Sequence, residues 1–397
     1  MELSRKAQRI EASVTLAITA KAKEMKEKGI DVISFGAGEP DFNTPENIIN
    51  AAIKAMQEGN TKYTNVNGIL QLREAICKKF KEDNGLIYKP SQIVVSTGAK
   101  QSLANVFLAI LNPGDEVIVP NPYWVSYPEL IRLADGKPVF VESDEGSSYK
   151  FTKENLEKAV TEKTKAIILN TPNNPTGTIY NREELIEIAE FAKKYDLIIV
   201  SDEMYEKLIY DGESHVSIAS VSDDAYERTI VINGLSKSYA MTGWRLGYCG
   251  ASEKIAKLMT NIQSHMTSNV CSITQYAAVE ALNGPQDKVK EMISEFERRR
   301  NYMAKTLEEM NNLSIIKPQG AFYIMINIDK CLGKEINGEK INDSMDFSAK
   351  LLENEKVAVI PGKAFGLDNY VRVSYATSME LIEKGLERIN KFVNKLK

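Results

Sequence analysis

The sequence predicts an α/β protein, a mostly parallel central sheet with helices on both faces, joined to a smaller α+β domain. Two observations lead there. Between about residues 92 and 251, short β-branched runs alternate with segments of helical apolar spacing, a pattern that implies parallel strands covered on both sides. After about residue 285 the texture changes to a long charged amphipathic helix and shorter mixed elements. At 397 residues the chain suits two or three domains of roughly 100–200 residues. We divide it into an N-terminal segment, 1–45, that joins the small domain, a large domain, 46–290, and the small C-terminal domain, 291–397.

Taken in order, "QIVVSTGAKQSLANVFLAIL" reads as a strand, a glycine turn and a helix with apolar residues at helical spacing. "DEVIVPNP" and "KPVFVES" are strands, and "KENLEKAV" is a helix. "KAIILNTPNNPTG" is a strand running into a turn-rich loop. "NREELIEIAEFAKKYD" is a helix with Asn181 as its N-cap. "LIIVSDEMYE", "TIVINGLSK" and "RLGYCGA" complete the strand series, and "DKVKEMISEFERRRNYMAKTLEEM" opens the second domain as a helix. In such a sheet, ligands bind beyond the C-terminal ends of the strands.

Composition narrows the function. Lys+Arg number 50 against Asp+Glu 54, a formal charge of -4, which argues against nucleic-acid or membrane-surface binding. The first thirty residues intersperse charge and lack an apolar core, so no signal peptide is read, and no apolar run is long enough to predict a membrane span. Cys77, Cys249, Cys271 and Cys331 show no CxxC spacing, which suits reduced thiols in a cytoplasmic protein. With His215 and His265 the only histidines, both read as surface or satisfied polar residues, no metal site and no Ser/His/Asp triad is expected.

The strand ends carry the chemistry. Lys237, set among small residues in "NGLSKSYAMTGWRLGY", can be desolvated into a nucleophile toward carbonyl groups. Asp202 ends a buried strand, where a carboxylate needs a cationic or donor partner. Tyr205 follows three residues later, and Asn174 offers an amide just past another strand. Gly98, Ala99 and Lys100 open a helix whose N-terminal amides suit a phosphate. Singly, each reads as a turn, a cap or a solvated side chain; together they form a convergent site. "GAGEP" is not a dinucleotide loop, since it lacks the third glycine of GxGxxG.

"GLSKSYAMTGWRLG" resembles the pyridoxal-phosphate attachment signature of class I aminotransferases, with "NNPTG" and "SDEMY" upstream. The likeness runs from "SFGAGEPDFNTP" to "VRVSYATS" and is nearest to the bacterial Iβ aspartate aminotransferases. It implies a fold type I pyridoxal-phosphate-dependent transferase, a homodimer with sites at the subunit interface, and ping-pong exchange between aspartate and 2-oxoglutarate. Lys237 would bond covalently to the cofactor aldehyde and later move the proton between Cα and C4′. Asp202 would pair with the ring nitrogen, Tyr205 and Asn174 would hold the ring oxygen, and Trp124 would stack on the ring. Arg245 would take the phosphate with Ser236, the amides of Gly98 and Ala99, and Tyr63 of the partner subunit. Gly234 stands where the family often has a phosphate-binding serine.

For substrate, Arg372 would grip the α-carboxylate with a bidentate fork, and Gly38 would approach it with its backbone. "HMTSNVCSITQYAA" holds no counterpart of the partner-subunit arginine of many aspartate aminotransferases; the resemblance to the Iβ group implies instead that Lys100, at a helix start, takes the second carboxylate. Thr15 joins the substrate side. Glu11 stands where prephenate-using members carry a basic residue, which disfavours prephenate by roughly a kcal/mol. Aromatic specificity, a β-lyase and a non-catalytic binding protein on the same scaffold are the alternatives.

Overall fold

The structure, a computed structural model, describes residues 2–397. Its centre is a seven-stranded sheet: β1 (Ile93–Ser96), β2 (Glu116–Asn121), β3 (Lys137–Glu142), β4 (Thr164–Asn170), β5 (Ile198–Asp202), β6 (Thr229–Gly234) and β7 (Gly247–Gly250), in the order β1-β7-β6-β5-β4-β2-β3. β1 to β6 share one direction, and β7 runs antiparallel to β1 and β6. The reversal follows from its connection: residues 235–246 hold a single 3₁₀ turn and no crossover helix, so the chain returns beside β6 in the opposite sense.

Strand alternation divides the core. Ala166 and Ile168 of β4 face Leu103, Phe107 and Ile131, while Ile167 and Leu169 face Leu185, Ile188 and Phe191. Both sets are fully buried, which is why these strands read as continuous apolar runs. The helices named from sequence are found at Ala99–Ile110, Lys153–Ala159, Arg182–Lys194 and Asp287–Glu308, and Asn181 caps its helix by accepting from Glu184 N–H. The sequence reading passed over the helix Ser126–Leu133, whose Pro128 disguises its first turn.

A second sheet is antiparallel: β8 (Ser314–Ile315), β9 (Tyr323–Asn327), β10 (Ile360–Pro361) and β11 (Tyr370–Ser374), in the order β10-β11-β9-β8. Its core takes in Ile33 and Phe35 from the N-terminal segment, and Ile33–Ser34 pairs with Val357–Ala358. The helix Asp287–Glu308 serves both cores. Val289 packs beside Ile48 and Leu72, whereas Met292, Phe296 and Met303 pack beneath the second sheet.

Candidate functional site

The parallel strands end together, with Asn170 in register with Asp202, and Asp202 with Ile232. Beyond those ends, between the two sheets, lies a cavity of about 570 Å³. Asp202 projects into it from β5. Its Oδ2 accepts from the Tyr127 hydroxyl at 2.7 Å and its Oδ1 from the Met204 amide at 3.2 Å. Burial raises its carboxyl to about 6, a shift restrained by those two donors.

Lys237 lies three residues past β6, and what remains exposed of it opens into the cavity. Its Nζ donates to the Gly38 carbonyl at 2.5 Å. Burial pulls the amine down to about 8; Arg245 and Arg372 act the same way, against Glu39 and Asp202. Tyr205 follows β5, and its hydroxyl stands 3.0 Å from that of Tyr323.

Arg372 enters from β11 and is only 4% exposed. Its Nη1 donates to Asn174 Oδ1 at 2.9 Å, and the guanidinium lies 4.2 Å from the Tyr323 ring centre and 4.8 Å from that of Phe365. Arg372 Nε is buried without a partner. On the other sheet, Gly98 begins the helix Ala99–Ile110 at φ 82°, and a Cβ there would stand 2.4 Å from Arg245 Nη2. Arg245, itself at φ 53°, donates from Nη1 to the Thr242 carbonyl at 2.8 Å. The Lys100 ammonium lies 5.0 Å from the Trp124 ring centre, and partial burial together with Arg245 lowers its pKa.

Of the residues singled out from sequence, Thr15, Gly38, Ala99, Ser236 and the larger side chains above all line this cavity. Gly98 stands behind Arg245 rather than on the wall. Tyr63 stands apart, 91% exposed on the surface. At Gly234 a Cβ would meet Met204 Cε at 2.8 Å and the Gly247 backbone at 3.1 Å, so a serine would not fit without a shift. His215 bonds Glu203 at 2.9 Å, away from the cavity.

Three contributors escaped the sequence reading: Tyr127, Tyr323 and Glu39, whose Oε2 accepts from Thr242 Oγ1 at 2.7 Å. Tyr127 carried a usable signal, since it follows Trp124 by one helical turn. Tyr323 carried none locally, because it arrives from the other sheet.

Lys100, Lys237, Arg245 and Arg372 therefore face a cavity holding two carboxylates, Asp202 and Glu39, and none of the four forms an ion pair among the described residues. Such a site calls for anionic ligands and, beside Asp202, a cationic nitrogen. Pyridoxal phosphate combines a phosphate, a protonatable ring nitrogen and an aldehyde within reach of a lysine amine, and the residues present fit it. Fold and cavity define a pyridoxal-phosphate-dependent enzyme.

Comparison with known proteins narrows the class. The family model "Aminotransferase class I and II" matches residues 30–389. Aspartate aminotransferase of Bacillus subtilis is 51% identical over the full length of both chains. A probable aspartate/prephenate aminotransferase of Rickettsia bellii is 49% identical over 96% of each. Among solved structures, aspartate aminotransferase from Rhizobium meliloti superposes with a TM-score of 0.97 at 43% identity, covering 100% of both chains. The Thermus thermophilus enzyme with maleate gives 0.93 at 41%, covering 98% of this chain and 99% of that one. The chain belongs to the class I and II aminotransferases.

Proposed function

We propose that this protein exchanges the amino group of L-aspartate with 2-oxoglutarate, giving oxaloacetate and L-glutamate by a ping-pong mechanism. The observation that carries the reading is the unpaired charge of the cavity. Beyond Lys237 and the phosphate partner Arg245, two further cations, Arg372 and Lys100, open into the same space, as a dicarboxylate requires. The names of the relatives in B. subtilis and R. meliloti agree with it.

When bound, pyridoxal phosphate supplies a carbonyl that accepts the amino group and a ring that takes up the electron pair of the broken Cα–H bond. The chain's residues do the rest. With its amine near 8, Lys237 is neutral in roughly a tenth of molecules at pH 7, enough to attack a carbonyl and then to move the proton at the substrate Cα. Asp202, costly to ionise alone, is stabilised by a protonated ring nitrogen and keeps it protonated. Asn174, whose Oδ1 is engaged by Arg372, has its Nδ2 left for the ring oxygen, with the Tyr205 hydroxyl beside it.

Arg245, Ser236 and the Ala99 amide hold the phosphate, the Gly98 amide being already given to the Ser96 carbonyl at 2.7 Å, and Arg372 with the Gly38 backbone holds the α-carboxylate. Lys100 takes the second carboxylate, Trp124 covers the ring, and Thr15 closes the substrate side. Tyr63 completes the phosphate site of a neighbouring subunit, which makes the protein a homodimer; its exposure on this chain supports that role. Residues 1–45 and 291–397 act as a smaller domain against 46–290 and close over bound substrate. Four unpaired cysteines suit work in the cytoplasm, and among the described residues no helix is long and apolar enough to cross a membrane.

The test is the visible absorption of the holoenzyme. The cofactor band should vanish on adding L-aspartate and return on adding 2-oxoglutarate. A band that aspartate leaves unchanged removes Lys100 from its role. The R. bellii relative's name raises prephenate as a second acceptor, and the same assay with prephenate in place of 2-oxoglutarate decides it.

A further inference from the structure

Tyr323 is 1% exposed and touches three parts of the site at once. Its hydroxyl is 3.0 Å from the Tyr205 hydroxyl, and the Arg372 guanidinium carbon lies over its ring, 4.2 Å from the centroid. A Cβ placed on Gly38 would stand 3.7 Å from the same hydroxyl. It comes from β9, whereas Tyr205 follows β5, so this contact joins the two sheets across the cavity. We propose that Tyr323 is a positioning residue, whose hydroxyl donates a hydrogen bond to the Tyr205 oxygen and so aims the Tyr205 O–H into the cavity while seating Arg372 on its ring. The inference rests on the proposed function, in which Tyr205 faces the cofactor ring oxygen.

The direction of donation follows from charge. Two buried phenols share one hydrogen bond, and the better acid is the better donor. Burial raises both, and Arg372 favours loss of a proton from both, but Asp202 opposes that loss at Tyr205 and no carboxylate opposes it at Tyr323. Donation from Tyr323 then polarises the Tyr205 O–H, because successive hydrogen bonds reinforce one another in a low dielectric. A stronger Tyr205 donor favours the anionic form of a ring oxygen. The ring of Tyr323 performs a separate task, a cation–π seat that holds Arg372 without neutralising the charge a carboxylate needs.

The two tasks are separable by substitution. In the holoenzyme, Tyr323→Phe keeps the ring and removes the hydroxyl, so the pH midpoint of the cofactor's visible band should rise by roughly half a unit to one unit. Succinate, a dicarboxylate that cannot donate an amino group, should bind this variant as it binds the parent protein. Tyr323→Leu should show the same rise and also weaken succinate by roughly 2- to 30-fold. Tyr205→Phe should raise the midpoint, and adding Tyr323→Phe to it should raise it no further, since the hydroxyl acts through Tyr205. A parental midpoint in Tyr323→Phe, or shifts that add in the double variant, would overturn the inference while leaving the proposed function standing. Absence of any band from the parent holoenzyme would overturn both.

Discussion

Asp202 and Glu206 are four residues apart on one turn, both buried, and their carboxyls move in opposite directions. Burial raises Asp202 to about 6. For Glu206 burial pushes the same way but is outweighed by the Lys79 ammonium, His215 and the Asn84 amide, leaving it at about 2. Asp202 faces the cavity, while Glu206 faces the helix Leu70–Asn84, where Lys79 meets it in a buried ion pair and Asn84 Nδ2 donates at 2.9 Å. The back of the turn is charge-complete within the chain and the front is not. A carboxylate matched by its own chain holds the fold, and one left unmatched marks where a ligand completes the charge.

The largest effect should come from unmatching the back. Lys79→Met leaves Glu206 buried without its lysine counter-ion, and denaturant unfolding should show a loss of about 3–5 kcal/mol, with turnover per folded molecule little changed. Matching the front should do the reverse. Asp202→Asn should lower amino transfer by about 10²–10³-fold yet stabilise the cofactor-free chain at pH 7 by up to roughly 3 kcal/mol, the equivalent of the shift from 3.8 to about 6. A cofactor-free Asp202→Asn protein no more stable than the parent would break the comparison.

Acid should sharpen the contrast. The Glu206 carboxyl is lowered on folding, so its stabilisation is complete above pH 4.5 and disappears as pH falls toward 2, whereas the unfavourable contribution of Asp202 is absent below 3.8 and full only above about 6. Glu206→Gln should therefore flatten the stability loss between pH 4.5 and 2. Arg372→Lys keeps a charge but loses the planar fork, and KM for aspartate should rise roughly 10- to 100-fold, the worth of one or two charged hydrogen bonds. The smallest change belongs to Tyr127→Phe. Removing a donor at 2.7 Å should push the Asp202 carboxyl up by roughly half a unit to one unit, read from the pH dependence of cofactor-free stability.

The front of the turn was the more legible in sequence. Strand-and-helix alternation put Asp202 at a strand end and Asn174 and Lys237 just past two others, and parallel strands gather those ends by geometry. The back was not. Lys79 reads as one more lysine on a charged helix, and nothing near position 206 says which cation it meets across a separation of 127 residues. Tyr323 is hidden for the same reason, one of 17 tyrosines whose role depends on a contact between sheets. The antiparallel β7 was hidden differently, since its apolar run is indifferent to direction and the reversal lies in the connection.

Gly98 gives the site an evolutionary fragility. The hydrogen on its α-carbon leaves Arg245 its place, and a methyl there would stand 2.4 Å from the guanidinium, in a left-handed φ that side chains resist. The helix it begins is anchored elsewhere, by Leu103, Val106 and Phe107 in the sheet core. One accepted point mutation could thus displace Arg245 from the cavity while leaving the scaffold intact, so a lineage can drift from catalyst to bystander without passing through a misfolded ancestor.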